Sequence, residues 1–65
     1  MQVKVNGQDR DIPDASTVRQ LVQQFNLVPE KVAIEINRRL VRAKNYDQPL
    51  SAGDEIEIVT FVGGG

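Results

Sequence analysis

Cysteine, histidine and tryptophan are all absent from the 65 residues. Without thiols or imidazoles neither a disulfide framework nor a zinc centre of the usual ligands can brace the chain, so a secreted, disulfide-dense scaffold is excluded. The length allows one small domain, and such a domain buries only about 60% of the surface its unfolded form exposes, so the hydrophobic core must suffice. There is no excess of positive charge either: eight Lys/Arg against nine Asp/Glu give a net charge of −1. That balance argues against a protein whose main task is to coat nucleic acid or an anionic membrane. No apolar run approaches the roughly 20 residues needed to span a bilayer, and the first residues lack the charged and apolar regions of a signal peptide, so a cytoplasmic protein is expected. Catalytic side chains are scarce: one tyrosine, Tyr46, and serines only at Ser16 and Ser51. A nucleophile and a base of matched pKa would have to be found among carboxylates and amines, so neither self-sufficient catalysis nor a bound metal is expected.

What is present is patterned. Val3 and Val5 alternate with Gln2, Lys4 and Asn6, the period of a strand with one buried face. Asn6-Gly7 is a strong hairpin signal, because both residues tolerate the positive φ of a type I′ turn, and it predicts a returning strand over Gln8 to Ile12 that Pro13 ends. Thr17 and Gln20 have capping-box spacing, with Ser16 as an alternative cap. Val18, Leu21, Val22 and Phe25 then mark the apolar stripe of a helix of about ten residues. A third strand is expected over Val32 to Ile36, a turn at Asn37-Arg38-Arg39 and a short strand over Leu40 to Arg42. Ala43 to Leu50 has no sustained period and reads as a loop with room for one helical turn. The basic group Arg38, Arg39, Arg42 and Lys44 reads as a solvated turn, since no aromatic residues interleave it for stacking on bases. The candidate core is Val3, Val5, Ile12, Val18, Leu21, Val22, Phe25, Val32, Ile34, Ile36, Ile56 and Ile58.

Glu55 to Val62 is the most strand-like segment. Counting by two, Ile56 and Ile58 face the core, so Glu55, Glu57, Val59 and Phe61 share the opposite face. Either a bulge returns Phe61 to the core, or Phe61 is a lone surface aromatic, or Val59 and Phe61 form an apolar anchor rimmed by acidic Glu55 and Glu57. Gly63, Gly64 and Gly65 follow at once. Taken alone they read as a frayed end; after such a strand they also read as a narrow tail whose α-carboxylate enters a partner's active site with minimal hindrance.

The opening MQVKVNGQ, the helix start TVRQLV, the segment VAIEINRRLV and the ending GDEIEIVTFVGGG together resemble the ThiS family of thiamine-biosynthesis sulfur carriers, over essentially the whole chain. The short length and the FVGGG ending favour that family over the molybdopterin-synthase small subunit, which is usually longer. The resemblance implies an α+β, ubiquitin-like β-grasp fold: a mixed sheet of about four or five strands on one main helix, with residues 1–62 as the domain and 63–65 as a flexible glycine tail. It implies a carrier and not an enzyme, with the Gly65 carboxylate as the adenylated and sulfur-bearing group and Gly63 and Gly64 as the tail. It implies docking through Val59, Phe61 and Val62, with Glu55 and Glu57 steering. The partners it implies are the adenylyltransferase ThiF, which uses ATP and magnesium, a cysteine-desulfurase sulfur donor and the thiazole synthase ThiG. No cofactor is expected to stay bound to the carrier, and the free chain is expected to be a monomer.

Overall fold

In the computed structural model, which describes residues 1–61, Asn6 and Gly7 take φ values of 50° and 82°. These are the two positive angles of a type I′ turn, and they join β1 (Gln2–Val5) to β2 (Gln8–Asp11). Val3 and Val5 point into the core, whereas every residue of β2 is exposed. An edge built from Gln8, Asp9, Arg10 and Asp11 discourages pairing with another chain. Ile12 lies just past that strand and is buried, its N–H donating to the Met1 carbonyl at 2.9 Å.

Thr17 caps helix α1 (Val18–Gln24) through the complete reciprocal box, Gln20 N–H to Thr17 Oγ1 at 3.2 Å and Thr17 N–H to Gln20 Oε1 at 2.9 Å. Ser16 is not the cap, because its hydroxyl donates to the Pro13 carbonyl at 2.6 Å. The helix has seven residues, fewer than the spacing suggests. A Schellman motif stops it: Asn26 adopts φ 59°, its N–H donates to Gln23 O at 2.9 Å, and Leu27 N–H reaches Val22 O at 3.2 Å. Phe25 is therefore the C-cap, packed at the margin of the core, with the Arg10 guanidinium 4.8 Å above its ring centre.

A 3-10 turn at Pro29–Lys31 leads into β3 (Val32–Ile36). The next turn has only two residues, Asn37 (φ 53°) and Arg38 (φ 70°), which sets Arg39 opposite Ile36 and starts β4 (Arg39–Val41) one residue earlier than expected. The last strand, β5 (Glu55–Thr60), ends before Phe61, and Val62 lies outside the described residues.

The strands form one mixed sheet in the order β2-β1-β5-β3-β4. Central β5 runs parallel to β1 and antiparallel to β3, and α1 lies on the crossover that leads from the β1–β2 hairpin to the other half of the sheet. Val18, Leu21 and Val22 of the helix are buried with Val3, Val5, Ile34, Ile56 and Ile58 of the strands. Tyr46 and Leu50 complete this core, although they sit in the stretch without a period. Their segment is fastened to the start of α1: Arg19 N–H donates to Tyr46 O at 3.0 Å, Leu50 N–H to Ser16 O at 2.7 Å, and Arg19 Nε to Asp47 Oδ1 at 2.8 Å. Ile36, expected in the core, is only partly buried, at the end of β3.

Candidate functional site

Because α1 covers one face of the sheet, the other face is open, and β5 divides its residues between the two. Ile56 and Ile58 are buried and Glu55, Glu57 and Val59 are exposed on the open face, while Thr60, opposite Val32 on the side of Ile58, is exposed at the strand's end. Val59 is 54% exposed and Phe61 62% exposed, so no bulge returns the aromatic ring to the core. Phe61 N–H donates to Lys31 O at 3.2 Å, which keeps the chain aligned beside β3 just beyond the strand. Val62, Gly63, Gly64 and Gly65 lie outside the described residues.

The start of β5 is heavily tied. Gly53, at φ 84°, donates its N–H to Gln2 O at 2.7 Å, and Lys4 N–H reaches Asp54 O at 2.9 Å. Asp54 accepts from Ser51 N–H at 2.8 Å and from Asn37 Nδ2 at 3.1 Å, and Asn37 Oδ1 accepts from Glu55 N–H at 3.0 Å. Where β1 turns away, the Asn6 side chain takes over its place in the ladder: Oδ1 accepts from Ile58 N–H at 2.8 Å and Nδ2 donates to Ile58 O at 3.3 Å. The strand that leads to the glycines is thus held in register up to Ile58 by a side chain.

The register defines what else shares the open face. Glu57 stands opposite Glu35, and Glu35 opposite Leu40, which is 70% exposed. Val59 stands opposite Ala33, and Glu55 beside Lys4, whose ammonium lies 3.7 Å from Asp9. Along β5 the face therefore passes from charged, at Lys4, Glu55 and Glu57, to apolar, at Val59 and Phe61. A shallow depression of about 400 Å³ interrupts it, lined by Lys4, Asn6, Gly7, Glu55, Ile56 and Glu57. Among the described residues no group of three or more His, Cys, Asp or Glu side chains is placed to hold a metal ion. Sequence reasoning brought Glu55, Glu57, Val59 and Phe61 to one face but did not set Leu40, Glu35, Ala33 and Lys4 beside them, nor Asn6 as a strut. The alternation of Leu40 with Arg39 and Val41 was the available signal, too short over three residues to decide a face.

The ThiS family model matches residues 3–65. This chain belongs to the ThiS family. The sulfur carrier protein ThiS of Bacillus subtilis is 34% identical over 97% of this chain and 98% of its own length. The crystal structure of the thiamine biosynthesis protein ThiS from Geobacter metallireducens superposes with a TM-score of 0.82 at 26% identity, covering both chains completely. The β-grasp architecture, a five-stranded mixed sheet with one helix, is thereby that of ThiS. A thiazole synthase from Paramagnetospirillum magneticum is 36% identical over the whole of this chain, which spans only 20% of that protein. In that synthase a ThiS-like segment and a much longer remainder share one polypeptide. Among the described residues no helix is long and apolar enough to cross a membrane.

Proposed function

We propose that this chain is a cytoplasmic sulfur carrier of thiazole formation that is acted upon by enzymes and is not itself one. The reactive group is the α-carboxylate of Gly65. A carboxylate is a poor electrophile, so an adenylyltransferase of the ThiF type joins its oxygen to the α-phosphorus of ATP, with magnesium, and releases pyrophosphate. The terminal sulfur of a persulfide from a cysteine-desulfurase system attacks the acyl carbon, AMP leaves with the electron pair of the C–O bond, and a thiol reductant then cleaves the S–S bond of the acyl disulfide to free the thiocarboxylate. The resulting thiocarboxylate delivers sulfur to a thiazole synthase of the ThiG type. Gly64 and Gly63 bring no side chain into the partner's channel, while Val59, Phe61 and Val62 dock, and Glu55 and Glu57 steer toward a basic surface. ATP and magnesium belong to the activating enzyme; nothing in the reaction requires a group resident on this chain.

The observation that supports this reading best is the course of β5. It is braced at its start and by Asn6, it exposes Val59 on the open face and Phe61 just past its end, and it leads directly into glycines that the family model includes. The ThiS-like segment within a thiazole synthase favours that enzyme as a partner. Intact-mass measurement after incubation with ThiF, ATP, magnesium and a cysteine-derived sulfur source tests it. The full-length chain gains the oxygen-to-sulfur mass difference and the Gly65-deleted chain does not. An unchanged full-length mass, with ThiF active on another carrier, overturns the reading.

A further inference from the structure

The open face contains a conflict that the free domain leaves unresolved. Glu35 and Glu57 stand directly opposite each other on adjacent strands, where like charges are destabilising. No cation among the described residues forms an ion pair with either one: the nearby Lys4 ammonium is engaged by Asp9, and Arg38, Arg39 and Arg42 make no salt bridge to them. Leu40, 70% exposed, continues this cross-strand row beyond Glu35, and Val59 with Ala33 forms the next row toward the chain's end. The acidic pair is therefore bordered by exposed apolar side chains on the same surface.

Resting on the carrier reading, we propose that this face docks a thiazole synthase through an arginine of that enzyme placed between Glu35 and Glu57, with Leu40 and Val59 packed around it. A planar guanidinium offers donors to two carboxylates at once, and the apolar border excludes water from the contact. The charge complementarity is demanded by the pair itself, since a cation there removes a repulsion as well as adding an attraction. Association of a ThiS-like segment and a synthase in one polypeptide makes that enzyme the occupant to which the face is assigned.

The consequence is an opposition between stability and binding. Removing one charge, by Glu57→Gln or Glu35→Gln, raises the melting temperature of the free chain by about 1–4 °C, because the repulsion is lost. The same changes weaken the complex with the cognate thiazole synthase about tenfold or more and flatten its salt dependence. Melting curves, titration calorimetry with the synthase at two salt concentrations, and mass-detected thiocarboxylate formation on the same proteins form the test. A higher melting temperature together with weaker, less salt-sensitive binding supports the proposal. An unchanged or lower melting temperature, equal affinity of wild type and variants, or no binding of the wild type to the synthase overturns it. Sulfur loading is read separately: loading without these effects leaves the carrier reading standing and removes this one, and their presence without loading does the reverse.

Discussion

Along β5, Ile56 and Ile58 are sealed against α1 and β3, while Glu57 between them and Val59 beyond them meet solvent. Neighbouring positions of one strand thus answer to different demands. On the covered face, volume and shape matter, because a cavity there has no partner atoms to replace those removed. On the open face the free domain loses little by changing a side chain, and at Glu57 it gains. Apolar residues are retained on that face where folding does not require them, at Leu40, Val59 and Phe61. On the proposed reading, contacts outside the chain account for them, and the charged-to-apolar progression toward Phe61 directs such contacts to the end that carries the glycines.

The sharpest way to break this contrast is at Ile56, which is 1% exposed. Ile56→Ala is expected to cost about 2–5 kcal/mol, comparable to the whole stability of a domain this small, and a denaturant titration will show a largely unfolded population. Asn6→Ala is next, with a loss of about 2 kcal/mol, because it removes both side-chain bonds to Ile58 and puts alanine at a positive φ. Amide exchange should locate that loss at the end of β5. Thr17→Ala removes the capping box and should lower stability by about 1 kcal/mol in the same titration without touching the open face. Phe61→Ala should shift stability by less than about 0.5 kcal/mol, and a large loss there would mean that the ring belongs to the fold after all.

Legibility in the sequence followed the same division. Local chemistry was readable wherever one residue type has one use: Asn6-Gly7 gave its turn, Thr17 and Gln20 their box, and the alternation around Ile56 and Ile58 the exposed position of Val59, whereas a bulge at Phe61 was decided only by the structure. What escaped depends on tertiary contacts. Tyr46 and Leu50 reach the core from an aperiodic segment because backbone bonds to Arg19 and Ser16 place them there, and no period could announce that. The early end of α1 was written in Asn26, which tolerates the left-handed conformation that the residue after the C-cap adopts, a position more often filled by glycine. Leu40 and Glu35 join the site only through cross-strand register, set by the two-residue turn at Asn37-Arg38.

On the proposed reading, the open face of β5 and the residue that follows it serve docking while the covered face serves folding. The most direct test is the rate at which the thiocarboxylate mass appears on Phe61→Ala compared with wild type, under ThiF, ATP, magnesium and a sulfur source, with both melting temperatures measured on the same samples. Matching melting temperatures and loading slowed about tenfold or more are expected. Equal loading rates in a fully folded Phe61→Ala chain would contradict that reading.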